Sequence, residues 1–260
     1  MLLEDGTRIF VEARFQDSGK PAAVFMHGDG QNHTVWRSLM NYFFQEDHSV
    51  LCYDLPGHGL SKPYKDKKYS FSRFAGTLTE ILAAHDISNP MLVGNSSGGM
   101  IALKYATEND AASVVAISAC DESPTKHNPS MDEIIEKYII ESRKVFQGQK
   151  LFDYNKKGLD EKEVALAALK HTDPEATEGN AKSLRKFDIR SKLCNIKAPV
   201  LLIGGAKDSF ATKEWMERIR DEIPKSRLVN FDGCGHHILL ETPEIILDTI
   251  EKNYSFLVQK

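Results

Sequence analysis

The hydrophobic pattern of the first half of the chain alternates between short and long units. Short apolar runs occupy residues 22–26 and 50–53, and another lies within the strand pattern 113–118, as in strands that are covered on both faces of a parallel sheet. Between them, residues 34–44 and 71–85 carry apolar side chains at helical spacing. This alternation of buried strands and amphipathic helices predicts an α/β fold with a mostly parallel, doubly wound sheet.

The pattern changes in the middle of the chain. Between residues 122 and 187 no run is typical of a strand, and the segment is rich in charge. Three stretches there have helical spacing: 131–146, 160–170 and 174–187. A buried strand pattern then returns at residues 199–203. We therefore expect a helical insertion over residues 122–187, within a core built from residues 1–121 and 188–260.

The charge balance indicates what kind of partner to expect. The chain has 260 residues and a formal net charge of -4, with Lys and Arg scattered along it. This distribution offers no basic face for nucleic acid or for an anionic membrane. We expect a small-molecule substrate, no nucleic acid and no membrane partner, and the sequence leaves the oligomeric state open.

Cysteine spacing and hydropathy bear on cofactors and location. The four cysteines are far apart and form no C-x-x-C pair, so we expect reduced thiols, no metal site and no cofactor. No apolar run approaches the roughly 18 residues of a membrane span. Acidic charge follows directly after the first two leucines, unlike a signal peptide, and we expect a cytoplasmic protein.

A G-x-S-x-G pattern stands where a buried strand is followed by a helix, at Gly94-Asn95-Ser96-Ser97-Gly98. A serine at the tip of so tight a turn has a strained backbone, and glycines on either side let the strand and the helix approach. Ser96 would then lie at a helix N-terminus, where unpaired amides favour developing negative charge. We predict that Ser96 is a nucleophile, and Ser97, one residue out of frame, is the alternative.

Two further residues whose side chains can act as an acid or a base follow predicted strands. Asp208 comes after the apolar run 199–203, and His236 comes after a later strand pattern. The C-terminal ends of parallel strands meet at one edge of a sheet, so Ser96, Asp208 and His236 are expected to converge there. A serine needs a base at neutral pH, and the histidine needs an acid that fixes its tautomer. Asp121, which follows another strand, is the alternative acid.

Other segments match the loops of one known family. They are His27-Gly28, Asp54-x-Pro56-Gly57-His58-Gly59-x-Ser61, the stretch from Asp188-Ile189-Arg190 to Asp208, and Gly235-His236 with Pro243-Glu244. With these loops and the chain order Ser96, Asp208, His236, the sequence resembles the α/β-hydrolase superfamily over nearly its whole length, as a serine esterase-like member with a helical cap. The resemblance implies an eight-stranded, mostly parallel sheet with the cap inserted after the sixth strand.

The resemblance also implies roles for individual residues. In a Ser-His-Asp mechanism the histidine takes the serine proton, the aspartate orients the histidine, and backbone N–H groups hold the oxyanion. The backbone N–H groups of Asp29 and Ser97 are the expected oxyanion donors. Gly28 in the same loop, Tyr138 in the insertion and His237 beside the catalytic histidine are expected to contact the substrate.

The Asp29 side chain departs from what an oxyanion site needs, because a carboxylate facing that site would oppose the developing negative charge. We expect it to turn away, either to cap amides of its own loop or to contact a polar part of the substrate. His27 is expected to orient the loop, and His58 to have a structural role in the glycine-rich turn.

The predicted function is hydrolysis of small carboxylic esters, because the apolar residues of the insertion suit a small acyl or aromatic group. Two alternatives stay open. The pattern Gly94-Asn95-Ser96-x-Gly98-Gly99 is also similar to the elbow of serine-dependent carbon–carbon bond hydrolases of vinylogous diketones, for which Arg190 is a candidate, by position, for binding an acidic substrate. A ligand-binding or receptor protein with little turnover could use the same fold.

Overall fold

A computed structural model describes residues 1–126, 128–155 and 161–258. Within these residues seven strands form one sheet in the order β1-β3-β2-β4-β5-β6-β7. The strands are β1 (Val11–Arg14), β2 (Ala23–Met26), β3 (Val50–Tyr53), β4 (Met91–Asn95), β5 (Ser113–Ile117), β6 (Val200–Gly205) and β7 (Ser226–Phe231). Neighbouring strands are parallel except for β1, which runs antiparallel to β3. The mostly parallel sheet predicted from the apolar runs is confirmed.

The strand count differs from the expected eight. Residues 1–10 pair with one another through a single bridge between Leu2 and Arg8 instead of contributing a strand. The chain reverses within a few residues, because the Gly6 N–H donates to the Leu3 carbonyl at 2.8 Å, and this leaves no length for a strand. The helical insertion consequently follows the fifth strand of this sheet and not a sixth.

Helices cover both faces of the sheet. They are α1 (Arg37–Gln45), α2 (Phe71–Ala84), α3 (Ser97–Ala106), α4 (Pro129–Val145), α5 (Glu161–His171), α6 (Pro174–Arg185), α7 (Lys213–Glu222), α8 (Ile238–Glu241), α9 (Pro243–Lys252) and α10 (Tyr254–Leu257). Successive strand residues such as Val24 and Phe25 belong to different apolar clusters, one under α2, α3 and α7 and the other under α1, α9 and α10. Within the residues that the structure describes, no helix is both long and apolar enough to span a membrane.

Helices α4, α5 and α6, called the inserted helices below, lie between β5 and β6. Their observed bounds are close to the predicted stretches 131–146, 160–170 and 174–187, of which residue 160 lies outside the described residues. Helix α4 packs against both α5 and α6. Side chains at the helix starts cap two of them, since Asn128 accepts from the Ser130 amide and Asp173 accepts from the Glu175 amide.

A close backbone contact sets the turn between β4 and α3. Ser96 adopts a left-handed φ of 51°, which is a strained conformation for a residue with a side chain. A Cβ atom added to Gly98 would lie 2.0 Å from the Met26 carbonyl oxygen, and one added to Gly94 would lie 2.3 Å from the Gly98 carbonyl carbon. Only glycine therefore allows α3 to pack this tightly onto β4 and β2.

We expect Gly98→Ala to lower the free energy of unfolding by at least about 2 kcal/mol, because the new methyl group meets backbone that cannot move aside. Gly76→Ala is the matched control, since Gly76 is exposed in α2 and a Cβ there meets nothing within 4 Å. That change should raise the free energy by about 0.5–1 kcal/mol through helix propensity. Urea unfolding measures both. A Gly98→Ala midpoint equal to that of the wild type would show that the contact is not tight.

Candidate active site

Three side chains meet at the carboxyl edge of the sheet. Ser96 Oγ lies 3.1 Å from His236 Nε2, and His236 Nδ1 lies 2.8 Å from Asp208 Oδ2. Ser96 stands at the β4–α3 turn, while Asp208 and His236 lie in the loops after β6 and β7. The structure thus brings together the three residues that the sequence analysis selected, although they are separated by up to 140 positions along the chain.

The Asp208 carboxylate is fixed on both oxygens. Its side chain is fully buried, and Oδ1 accepts from the backbone N–H groups of Phe210 at 2.7 Å and Ala211 at 2.9 Å. The remaining oxygen, Oδ2, faces His236 Nδ1, which must carry the proton to donate. This bond leaves His236 Nε2 without a proton, so that it can accept one from Ser96.

The alternative candidates have other surroundings. Asp121 is buried and forms a two-point ion pair with the Arg218 guanidinium, so both of its carboxylate oxygens are bound to a permanent cation. Ser97 is the first residue of α3. The His237 ring packs edge-on against the His236 ring, with centroids 5.6 Å apart, and His237 lines the cavity described below.

The loop after β2 places a backbone N–H beside the Ser96 turn. Gly28 N–H donates to Gln31 Oε1 at 2.9 Å, and Asn95 Nδ2 donates to the same oxygen at 3.1 Å. Gln31 therefore ties the loop to the residue that precedes Ser96. Sequence reasoning missed Gln31, because no spacing pattern marks it and its two partners are distant from each other along the chain.

The backbone N–H groups predicted as oxyanion donors belong to Asp29 and Ser97. The Ser97 N–H belongs to the first residue of α3, where no preceding helical turn can accept from it. The Asp29 N–H lies in the loop after β2, and the hydrogen bonds found among the described residues assign it no acceptor. Both residues line the same cavity as Ser96, as the predicted oxyanion donors require.

His27 holds the same loop from beneath. Its Nδ1 donates to the Gly28 carbonyl at 2.7 Å, and its Nε2 accepts from the Leu55 N–H at 2.9 Å, which fixes one neutral tautomer. Complete burial, together with the nearby His58, lowers the pKa of His27 to about 4. His27 is therefore a neutral connector between two loops, consistent with the orienting role expected for it.

Asp54 organises the glycine-rich turn after β3. Its buried carboxylate accepts from both the backbone N–H and Nδ1 of His33, at 2.7 and 2.9 Å, and from the Leu60 N–H at 2.8 Å. Burial alone would raise the pKa of Asp54, but these bonds and the histidines around it hold the pKa below its usual value. The carboxylate stays charged and keeps the turn in place. Neither this role nor His33 was anticipated from the sequence.

The Asp29 side chain points toward the inserted helices. Its Oδ1 accepts from His58 Nε2 at 3.0 Å and from Asn180 Nδ2 at 2.6 Å, instead of capping amides of its own loop as one expectation had it. Burial opposes ionisation of Asp29, but the hydrogen bond and charge of His58 hold the pKa of the carboxyl below its usual value. His58 thus has the structural contact predicted for it, and Asn180 of α6 is a residue that sequence reasoning missed.

A cavity of about 250 Å³ opens above Ser96 and is roofed by the inserted helices. Most of its wall is apolar: Met100, Ile134, Ile135, Val164, Ala165, Ala168, Ala181, Leu184 and Phe210. Gly28, Tyr138 and His237, the predicted substrate contacts, all line it. Among the described residues of the wall there is no Lys or Arg. Arg190, the candidate for an acidic substrate, is instead exposed and paired with Asp188 and Glu122.

The donor sets within the described ranges do not suggest a metal ion. No group of three or more His, Cys, Asp or Glu side chains in this part of the chain is placed to hold one. The Ser96, His236 and Asp208 side chains bond one another in a line, which suits proton transfer to and from the serine hydroxyl and its reaction with an electrophilic carbonyl.

Comparisons with known proteins agree with the fold. A family model described as alpha/beta hydrolase fold matches residues 21–243. AB hydrolase superfamily protein YisY of Bacillus subtilis (strain 168) is 26% identical over 94% of this chain and 94% of its own. A pimeloyl-(acyl-carrier protein) methyl ester esterase of Wigglesworthia glossinidia brevipalpis is 30% identical over 75% of this chain and 78% of its own. The solved structure of MGS-M2, an alpha/beta hydrolase enzyme from a Medee basin deep-sea metagenome library, has 20% identity and a TM-score of 0.81, covering 98% of this chain and 96% of that one.

The neutral state of His27 predicts a loss of stability in mild acid. The unfolded chain binds a proton at His27 below the ordinary pKa of about 6.5, whereas the folded protein does so only near pH 4, so stability falls as the pH drops between these values. Between pH 7 and pH 5 this site should remove about 2 kcal/mol of stability.

Urea unfolding of the wild type and of His27→Gln at both pH values measures this loss. The variant should be less stable at pH 7 but show a flatter dependence on pH. His85→Gln, outside this loop, is the control and should keep the wild-type slope. An unchanged slope in His27→Gln would mean that His27 is not the group responsible.

Proposed function

The chain belongs to the α/β-hydrolase family, and from that premise we propose that it hydrolyses small carboxylic esters that carry no free carboxylate, through a Ser96 acyl-enzyme. The observation that carries the proposal is the continuous hydrogen-bonded line from Ser96 Oγ to His236 Nε2 and from His236 Nδ1 to Asp208 Oδ2. A neutral serine hydroxyl is a poor nucleophile, and this line provides the base that activates it.

The proposed reaction has two halves. In the first, Ser96 Oγ attacks the ester carbonyl carbon while His236 Nε2 takes the hydroxyl proton, and the imidazolium then gives that proton to the departing alkoxide. In the second, a water molecule attacks the acyl-enzyme, His236 takes its proton, and the proton returns to Ser96 as the carboxylic acid leaves. Asp208 stabilises the imidazolium in both halves and keeps its tautomer.

Backbone donors would carry the charge of each tetrahedral intermediate. We assign this role to the N–H groups of Asp29 and Ser97, which lie on the two chain segments that meet beside Ser96. Preorganised donors of this kind typically contribute about 2.7–4 kcal/mol each to lowering the barrier. The bond from Gly28 N–H to Gln31 keeps the loop in the shape that presents the next N–H, that of Asp29.

The cavity wall supports esters without a carboxylate. A buried carboxylate needs a cationic or multiply donating partner, and the described wall contains no Lys or Arg. Arg190, which the carbon–carbon hydrolase alternative would need, is engaged by Asp188 and Glu122 away from the cavity. The relative named above as a methyl ester esterase supports the ester reading.

The inserted helices would act as a cap over the site. In this proposal residues 122–187 form the cap, and Tyr138, together with Gly28 and His237 of the core, contacts the bound ester. A cavity of about 250 Å³ is at the small end of ligand sites, so a short acyl or aromatic group fits and a long chain does not.

Replacing the reacting residues should abolish turnover without unfolding the protein. We expect Ser96→Ala to remove fluorophosphonate labelling and to lower kcat on p-nitrophenyl butyrate by at least about 10³-fold, and Asp208→Asn to lower kcat by about 10³- to 10⁴-fold. Initial rates and intact-protein mass spectra measure the two effects, and circular dichroism checks the fold.

Asp121→Asn is the matched control, because Asp121 is also a buried acid after a strand but is bound by Arg218. Its kcat should stay within about threefold of the wild type. Equal losses in Asp121→Asn and Asp208→Asn would remove Asp208 from the mechanism. Labelling of wild-type Ser96 without turnover of any ester would favour the ligand-binding alternative.

The apolar wall should set the chain-length limit. Leu184→Ala enlarges the cavity, so kcat/KM for hexanoate relative to acetate esters should rise by about fourfold for each added methylene that the new space accepts. Leu166→Ala, on the exposed face of α5, is the control and should keep the wild-type profile. A p-nitrophenyl ester series from acetate to octanoate provides the measurement. Identical profiles in the two variants would place the acyl group elsewhere.

A further inference from the structure

We propose that the Asp29 carboxylate and the Tyr138 hydroxyl form a subsite for a hydrogen-bond-donating group of the substrate, either a hydroxyl or a protonated amine. The inference rests on the proposed function and narrows its substrate class, since it concerns a second recognition point in the same cavity. It requires a polar group on the ester at a distance from the reacting carbonyl.

Among the described residues, the hydrogen bonds of the Asp29 carboxylate all end on one oxygen. His58 Nε2 and Asn180 Nδ2 both donate to Oδ1, and no described residue donates to Oδ2. The side chain is 31% exposed, and it lines the cavity above Ser96. Oδ2 is therefore an anionic acceptor in a fixed position, because Oδ1 of the same carboxylate is bound by His58 from the turn after β3 and by Asn180 from α6.

Tyr138 contributes a second polar atom close to the same loop. A Cβ added to Gly30 would lie 3.0 Å from the Tyr138 hydroxyl oxygen, so the phenol stands next to the residue that follows Asp29. Burial, reinforced by the charge of Asp29, raises the pKa of Tyr138 well above its usual value, and the hydroxyl keeps its proton. A phenol that keeps its proton can both accept from and donate to a ligand hydroxyl.

The charged groups around the cavity determine which charge a substrate group can carry at this subsite. Among the described residues, the titratable and charged side chains that line it are Asp29 from the loop, His236 and His237 from the loop after β7, and Tyr138 from α4. His58 contacts Oδ1 from the turn below. A carboxylate on the substrate would meet the charge of Asp29 in an apolar surrounding, whereas a hydroxyl or ammonium group would satisfy Oδ2.

The same contact bears on the reaction itself. Asp29 presents its N–H to the developing oxyanion and carries its own negative charge a few atoms away, and that charge opposes the oxyanion. A donor from the substrate on Oδ2 withdraws charge from the carboxylate and reduces this opposition. An ester that carries the donor is therefore favoured in the transition state as well as in binding.

The test uses esters that differ in one group. Methyl butanoates carrying methyl, hydroxyl, ammonium or carboxylate at carbon 3 place the group on the acyl side, and 2-methylpropyl and 2-hydroxypropyl acetates place it on the alcohol side. For the wild type we expect kcat/KM of a donor-bearing ester to exceed that of its methyl counterpart by about tenfold or more on one side, as hydrogen bonds to charged groups typically contribute. The carboxylate ester should be the poorest substrate. Comparison of the hydroxyl and ammonium esters shows which donor the subsite takes.

Three variants test which residues cause the preference for donor-bearing esters. Asp29→Asn and Tyr138→Phe should each reduce the ratio of donor to methyl ester by about threefold or more, whatever their effect on the absolute rate. Thr177→Val, which changes another polar residue of the wall, should keep the wild-type ratio. Should Asp29→Asn fail to fold, inhibition of the wild type by 3-hydroxybutanamide and 3-methylbutanamide decides the matter, and the hydroxyl compound should bind more tightly.

The outcomes separate this proposal from the proposed function. Equal kcat/KM for donor and methyl esters on both sides, with Ser96 still labelled and the methyl esters still hydrolysed, would overturn the subsite alone. A preference for the carboxylate ester would overturn it as well. No turnover of any ester would instead count against the ester hydrolase.

Discussion

The whole site depends on the close approach of two backbones. At Gly98, α3 touches the end of β2 so closely that there is no room for a Cβ atom beside the Met26 carbonyl. That contact fixes the Ser96 turn relative to the loop after β2, which carries the Asp29 N–H. The strained φ of Ser96 costs about 1–3 kcal/mol, and the surrounding ladder supports it, since the Ser96 N–H donates to the Ile117 carbonyl at 2.8 Å. The position of the Ser96 turn relative to this loop is therefore fixed by backbone contacts, which cannot adjust by side-chain rotation.

Buried polar groups keep the loops around this turn in one arrangement. His27 bridges two loops as a neutral ring, Asp54 accepts from two N–H groups of His33 and from the Leu60 N–H, and Gln31 joins the loop to Asn95. Each group is satisfied by partners that only one loop conformation supplies, and a displaced loop would leave donors or acceptors unpaired away from water. Specific polar contacts therefore hold these loops, whereas apolar packing holds the strands and helices beneath them.

The cavity combines an apolar wall with one placed negative charge. The inserted helices supply most of the apolar surface, and α6 also supplies Asn180, which clamps the Asp29 carboxylate. The Asp29 side chain thus joins the core loop to the inserted helices and also lines the cavity where a substrate would lie. The position of the inserted helices and the polarity of the cavity are therefore linked through Asp29.

Much of the fold was determined by the sequence alone, because strands and helices depend on neighbours within a few positions. Apolar runs predicted the parallel strands, and the G-x-S-x-G turn together with the order of Ser96, Asp208 and His236 marked the residues that the structure brings together. The absence of strand patterns between residues 122 and 187 likewise predicted the inserted helices.

Only the tertiary structure decided what depends on long-range packing. The partners of Asp29 are of this kind, since Asn180 follows it by 151 positions, and so is the ion pair of Asp121 with Arg218 from α7. The count of seven strands among the described residues, instead of eight, belongs here too, because residues 1–10 fold back on themselves through the Leu2–Arg8 bridge. A local sequence pattern shows which side chains are apolar or charged. The atoms that they contact depend on how segments distant in the sequence pack together.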